Sequence, residues 1–484
     1  MSPGDRPSAS PNPSALSPLD GRYRPQMAPY AEAFSEEGLI RQRFKVEVQW
    51  LLALASDPAI GELGPLDDDT AAVLNAWVDD FGPDDVAEVK GIEGRTNHDV
   101  KAVEYLLKAK LAALGWSEAQ REFVHFAATS EDVNNLAHAL MLHEGISTAW
   151  LAEADRLIGD VAAVAAGCAE IAMLSHTHGQ PASPTTLGKE LAVFCHRWSR
   201  QAQRVRSLEL TGKWNGAVGT FGAHVAAYPE VDWISLSRRF VESFGLEWNP
   251  LTTQIEPHDT VAELFHTIVR FNSILLDFCR DMWEYVSRSY LRQRVVAGEV
   301  GSSTMPHKVN PIDFENAEAN AGVSSALLEH LASKLMVSRM QRDLSDSSAL
   351  RNVGVAVGHS GLAITSARRG FAKVTPDADT MAADLDCHWE VLGEAIQTAM
   401  RRHGIAEPYE RLKELTRGRE VGPAEVREFV AQLQLPAEAA ERLTKLTPGG
   451  YTGLAAELVT FAVPNRGASA AADRDSKEPA HTPA

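Results

Sequence analysis

From His258 to Ala297 the chain runs forty residues without a glycine or a proline. Inside that run Val261, Leu264, Ile268, Phe271, Leu275, Phe278, Met282 and Tyr285 recur in steps of three and four. That spacing is the seam of helices packed nearly parallel at shallow angles. A helix of this length would span ~60 Å at 1.5 Å per residue, which suits an elongated bundle. Other segments point the same way. Thr129-Ser130-Glu131-Asp132 puts hydroxyls and then acids at a helix start, and Val133, Leu136, Ala137, Leu140 and Met141 mark one face after it. Residues 312–375 hold no proline and offer a third long helical stretch, with Gly354, Gly358 and Gly361 as points for a kink. Thr185 to Lys213 supplies a fourth. Trp389, Leu392, Ala395, Ile396, Ala399 and Met400 form a face that closes on Arg401-Arg402-His403-Gly404, cations in the last turn and a glycine stop. No strongly alternating set of strands and no internal repeat appear. The predicted fold class is all-α, in three helical domains around a long central bundle.

Composition narrows the function. A chain of 484 residues can hold more than one domain, and its net charge is −19 with no basic stripe. A nucleic-acid partner is therefore excluded, and an anionic substrate must meet a local cluster of arginines and lysines. Cys168, Cys195, Cys279 and Cys387 lie far apart with no C-x-x-C pair. That usage fits a reducing, cytoplasmic compartment and argues against a zinc knuckle. No apolar run approaches the ~18 residues of a membrane span. Residues 1–15, rich in Pro and Ser, and residues 464–484 read as a disordered lead and tail.

Four segments carry chemistry. Gly301-Ser302-Ser303-Thr304-Met305-Pro306-His307-Lys308-Val309-Asn310-Pro311 is broken by glycine and proline and so is a loop. Its backbone N–H groups can form an anion nest, Lys308 adds a point charge, and a serine there can be a nucleophile, a proton-transfer group or a ligand clamp. An ordinary surface loop is the alternative. Ser175-His176-Thr177-His178-Gly179-Gln180-Pro181 holds an H-x-H pair that suggests either a metal or structural histidines, with no nearby Cys or paired acid to complete a ligand set. Thr96-Asn97-His98-Asp99 is a helix cap or a polar site. The run from Arg339 to Arg351 is a salt-bridged helix face or an anion cluster.

The eleven-residue loop string and the Thr-His-Gly-Gln-Pro segment together resemble the fumarase/aspartase superfamily, whose members eliminate fumarate from substituted succinates. The continuation Ile312-Asp313-Phe314-Glu315-Asn316-Ala317-Glu318 resembles the branch acting on succinylated purine nucleotides, and the likeness runs from Leu16 to about Phe461. This resemblance implies an N-terminal helical domain at 16–125, a central long-helix bundle at 126–370 with a signature loop at 298–312, and a C-terminal helical domain at 371–463. It further implies a homotetramer with a multi-helix core and active sites shared between chains. By the same resemblance His178 is the general acid and Ser302 the base, with Ser303 the alternative. Asn97, His98 and Asp99 would contact substrate, and Thr129 and Ser130 the succinyl carboxylate. Arg22, Tyr23, Arg342, Ser347, Ser348 and Arg351 would surround the nucleotide phosphate, with Gln254, Lys308, Asn310 and Asn316 completing the set.

The reaction implied is release of fumarate from adenylosuccinate, giving AMP, and from the succinylaminoimidazole carboxamide ribotide, giving the free carboxamide. Neither requires a metal or organic cofactor. Ala319 and Thr220 depart from the pattern, standing where relatives often carry glycine and asparagine, and bear only on fine positioning. The rival readings are another fumarate-releasing lyase of the superfamily, such as one acting on argininosuccinate, and a non-catalytic structural homologue. The early Arg22-Tyr23 and the Arg342–Arg351 run favour a nucleotide substrate over aspartate or malate.

Overall fold

Apolar periodicity of three and four becomes helix along most of the chain, and the computed structural model describes residues 12–294, 305, 308–416 and 421–462. Its backbone forms two compact units. One comprises residues up to 154, 201–276 and 317–365, and the other 155–200, 277–316 and 366 onward. The run that opens at His258 folds as the helix Asp259–Ser287. It stops before the run does. Ser289 takes a left-handed φ of 62°, and Leu291–Gln293 then pairs antiparallel with Val374–Pro376. A tertiary strand pairing ends the helix where local composition would have continued it. The stretch from 312 to 375 is likewise divided, into helices Ile312–Leu335, Ser345–Leu350 and Val353–Phe371.

In the first unit the helix Glu36–Ala55 is capped by Ser35, whose hydroxyl accepts the Gly38 N–H at 3.1 Å, with Glu36 and Glu37 in the first turn. Trp50 from this helix is the centre of an aromatic core with Trp214 at 4.7 Å and Phe240 at 5.0 Å. The helix Ser130–Gly145 passes through one π-helical turn, Ile146–Trp150, into the helix Leu151–Gly167. Gly354, in the first turn of the helix Val353–Phe371, and Gly145 admit Phe34: an added Cβ would lie 2.5 Å from the Phe34 Cβ at Gly354 and 2.2 Å from the Phe34 ring at Gly145.

The same turn delivers Trp150 to a buried polar chain. Trp150 Nε1 donates to Ser360 Oγ at 2.8 Å, and Ser360 Oγ donates to Asn272 Oδ1 at 2.7 Å. Asn272 Nδ2 donates to Ser324 Oγ at 3.0 Å, which in turn donates to the Ala356 carbonyl at 2.8 Å. Each member is satisfied, which is what makes such a chain tolerable in a core. Asn272→Ala leaves the Ser360 and Ser324 hydroxyls short of a partner. It is expected to cost about 1–3 kcal/mol in denaturant unfolding, with m unchanged.

In the second unit Phe278 gathers Phe194, Trp198, Phe314 and Phe371 at centroid distances of 5.4, 5.1, 6.2 and 5.6 Å. A separate cluster of Leu392, Ile396, Met400, Leu412, Val426 and Val430 closes the C-terminal part. Strands Ala172–Thr177 and Gln180–Thr186 form an antiparallel hairpin, absent from the helical reading of the sequence. The fourth predicted helix therefore begins only at Leu187 and ends at Ser207.

Candidate active site

The Asn97-His98-Asp99 segment is a helix junction. Asn97 ends the preceding helix with a left-handed φ of 53°, and His98 caps the helix Asp99–Ala113. His98 Nδ1 accepts the Lys101 N–H at 3.1 Å, so in the neutral ring the hydrogen sits on Nε2 as a donor. Asp99 meets Arg43 at 2.9 Å and Arg351 at 3.1 Å. Burial works to raise its carboxyl, but Arg43, the Val100 N–H and Arg351 outweigh it and hold the group below the usual range. Arg43 is fixed in turn by Asn134, whose Oδ1 accepts from its Nε at 2.8 Å. Beside this cluster a cavity of about 160 Å³ is lined by Arg351, Glu36, His138 and Phe34 among others. Burial, reinforced by Arg43, pushes His138 down to about 3, so its ring is neutral.

The Thr129–Ser130 helix start is held from two sides. The Asp132 carboxylate accepts the Thr129 N–H at 2.9 Å, and the Asp132 N–H returns to the Thr129 carbonyl at 2.9 Å. The chain leading into it is strained, with His125 and Ala127 at φ of 60° and 55°. Glu47 at 2.5 Å from His125 Nδ1, and Trp50 Nε1 donating to the Phe126 carbonyl at 3.0 Å, clamp that strained backbone. Glu131, the residue after Ser130, pairs with Arg342 at 2.9 Å. Burial pushes Glu131 up to about 7 against the pull of Arg342. Arg342 also reaches Gln254 Oε1 at 3.2 Å and Asp346 at 3.5 Å, and Asp346 Oδ1 accepts the Ser347 N–H at 2.7 Å. The first unit thus gathers Glu131, Gln254 and Asp346 around Arg342, with Ser347 bonded to Asp346, and brings Asp99 together with Arg351. Ser348 lies exposed in the same short helix, and Arg22 lies exposed beside Tyr23 at the turn Arg24–Gln26.

In the second unit His178 and Gly179 are the two residues at the tip of the hairpin, flanked by the pair Thr177 and Gln180. Their φ values are 55° and 72°, the double left-handed corner of a type I′ turn. The turn leaves His178 exposed. His176, two residues earlier, is engaged otherwise: its Nε2 accepts from Arg288 at 2.9 Å. Burial and then Arg288 lower its affinity for a proton. Among the described residues, no group of three or more His, Cys, Asp or Glu could hold a metal ion. Asn316 Oδ1 accepts the Ser366 hydroxyl at 2.8 Å. Lys308 is exposed and Asn310 half-buried, and between them the Val309 carbonyl accepts Gln293 Nε2 at 2.8 Å. Ser302 and Ser303 lie outside the described residues.

Sequence reasoning missed Arg43, Glu131, Asp132, Lys213 and Asp346. Arg43 looks like any charge on an amphipathic helix. Glu131 and Asp132 carried a signal, but as first-turn acids they were fully explained by helix capping.

Comparison with known proteins matches two sequence families. One described as "Lyase" covers residues 21–324, and one described as "Adenylosuccinate lyase C-terminal" covers residues 338–452. The chain is 51% identical over 446 residues to adenylosuccinate lyase of Escherichia coli (strain K12), spanning 92% of this chain and 98% of that one. It is 50% identical over 446 residues to the Haemophilus influenzae protein of the same name, again spanning 92% and 98%. Among solved structures, fumarate lyase from Mesorhizobium sp. BNC1 has a similar fold, with a TM-score of 0.72 at 20% identity over 90% of this chain and 97% of that one. No helix among the described residues is long and apolar enough to cross a membrane.

Proposed function

Because the chain belongs to the adenylosuccinate lyase family, we propose that it eliminates fumarate from adenylosuccinate, leaving AMP, and from the corresponding succinylated carboxamide ribotide of purine synthesis. The observation that carries this reading is the match of 51% identity over 446 residues, nearly the whole of both chains. The chain is a carbon–nitrogen lyase acting on a small-molecule substrate.

The residue roles follow from the bond that breaks. Losing the amine requires removal of a proton from the carbon β to nitrogen, and that carbon is also α to a carboxylate. The electron pair left behind builds a second negative charge on this carboxylate, and fixed cations and N–H dipoles stabilise it. We assign proton removal to Ser302, with Lys308 and Asn310 supplying the compensating field. His178 protonates the departing nitrogen as the carbon–nitrogen bond breaks. Its place at the tip of a tight hairpin supports that role, since a two-residue turn sets the ring's backbone with little freedom. Thr129 and Ser130 take the succinyl carboxylate at a helix start, where partial positive charge favours an anion. Arg22, Tyr23, Arg342, Ser347, Ser348 and Arg351 serve the phosphate end, and guanidinium forks suit that group. Asn97, His98, Asp99, Gln254 and Asn316 orient the remainder, with His98 offering its Nε2 hydrogen. We further propose a cytoplasmic homotetramer whose active sites draw on three chains.

The test is direct. Purified protein is mixed with adenylosuccinate, and fumarate and AMP are followed together by NMR while the ultraviolet absorbance of the substrate is recorded. Equimolar appearance of both products is the expected result. Release of fumarate from argininosuccinate but not from adenylosuccinate would replace the reading, and inertness toward both across pH 6–9 would leave only a structural role.

A further inference from the structure

Two fully buried charges stand beside the succinyl site and take no part in the chemistry assigned above. Lys213 Nζ lies 2.9 Å from Asp132 Oδ1, and both side chains are 0% exposed. Isolated buried pairs seldom stabilise a fold more than apolar residues of the same volume would. The surroundings of this pair give it a different use. Asp132 Oδ2 accepts the Thr129 N–H at 2.9 Å and the Gly216 N–H at 3.1 Å, while Oδ1 accepts the Asn215 N–H at 3.0 Å. One carboxylate therefore ties the start of the helix Ser130–Gly145 to a second segment, 213–217. Asn135 laces the same two segments. Its Oδ1 accepts the Lys213 N–H at 2.9 Å, and its Nδ2 donates to the Lys213 carbonyl at 3.1 Å and to the Asp132 carbonyl at 2.8 Å.

The second segment carries the tie onward. Asn215 Nδ2 donates to Thr252 Oγ1 at 2.8 Å, and Gln254 Nε2 donates to the Ala217 carbonyl at 2.9 Å. At Gly219, φ 76°, an added Cβ would lie 2.3 Å from the Thr252 carbonyl oxygen, so the two segments of this path touch. Thr129, Ser130 and Gln254 are thus held in one frame whose knot is Asp132. Three backbone N–H groups and one ammonium converge on its two oxygens, so both oxygens serve as acceptors.

We propose that Asp132 and Lys213 are positioning residues for the carboxylate end of the substrate. Lys213 anchors the Asp132 carboxylate, and Asp132 fixes the Thr129–Ser130 helix start relative to Gln254. The claim rests on the reading that Thr129 and Ser130 receive the succinyl carboxylate.

The test uses the full-length enzyme and the two products as separate probes, fumarate for the carboxylate end and AMP for the phosphate end. Lys213→Met strands a buried carboxylate, so the charge-free double variant Asp132→Asn/Lys213→Met is made beside it, together with Asn135→Ala, which keeps both charges. The double variant is expected to regain much of the thermal midpoint that Lys213→Met loses. Its fumarate inhibition constant should nevertheless rise about tenfold or more, near the worth of one charge-assisted contact, while its AMP constant stays within about twofold. Asn135→Ala should show the same split at smaller size and decides the matter if the charge variants do not fold. Equal weakening toward fumarate and AMP, or wild-type constants for both, would overturn the proposal. A Thr129→Ala/Ser130→Ala control separates the two claims. Wild-type fumarate inhibition in that control removes the carboxylate site itself. A loss in the control with none in the double variant or Asn135→Ala removes only the positioning role.

Discussion

Replacing His178 by asparagine is expected to lower kcat by about 10²–10⁴, the usual worth of a placed general acid, while the hairpin stays folded. The corner demands a left-handed backbone, φ 55° at His178. Asparagine accepts that conformation as readily as histidine does, so the loss isolates the imidazole from the turn. Inhibition by AMP should be unchanged, because the phosphate end is assigned to other residues. Stopped-flow detection of fumarate together with AMP inhibition measures both halves. Turnover within a factor of about three of wild type would move the acid elsewhere. Ser302→Ala should be at least as slow, and the double variant no slower than the slower single one. A base that cannot start and an acid that cannot finish serve one event, so their losses do not multiply.

Arg342→Met is expected to be the most damaging to stability, at about 3–5 kcal/mol, because it leaves the buried Glu131 and Asp346 carboxylates without their cation. Its pH dependence is a sharper test than its size. Glu131 is already pushed up to about 7 in the fold, above its ordinary 4.5. A carboxyl raised in this way binds more protons folded than unfolded between those two values, so its contribution to stability falls as pH rises through that window. Arg342 opposes that fall by pairing with the ionised form. Removing it should therefore open a gap in thermal midpoint from wild type that is smaller near pH 5, where Glu131 is neutral, than near pH 8. A gap of the same size at both pH values would show that Arg342 does not answer the Glu131 charge.

Most of the helices and the capped segments of the proposed site were legible in the sequence, for different reasons. Thr129-Ser130-Glu131-Asp132 and His98-Asp99 are legible because capping is local, settled within one turn by residue type. The early end of the helix at Ser287 was not legible, since it depends on Leu291–Gln293 finding a strand more than eighty positions away. The His178 hairpin was missed because its turn is His-Gly and lacks the Asn-Gly or Asp-Gly signature. Gly179, which lies outside every expected helix, was the available clue. Lys213 was invisible in principle. Nothing in a lysine's neighbours along the chain says that it will be buried against an aspartate from a helix some eighty positions away. Its discovery needs the fold. The roles of Ser302, Lys308 and Asn310 came from motif resemblance, and loop composition alone would have supported no choice among clamp, nucleophile and base.

The chain of donors from Trp150 through Ser360 and Asn272 to Ser324 has a consequence for drift and redesign. An amide and two hydroxyls drawn from separate helices are complementary in only one axial alignment. Slipping any of those helices by a turn, roughly 5.4 Å, would bury each group against hydrocarbon. Apolar repacking of the surrounding layers can therefore be liberal. Substitutions within the trio are best made as a coordinated set, and a library that varies its members independently should yield mostly destabilised protein.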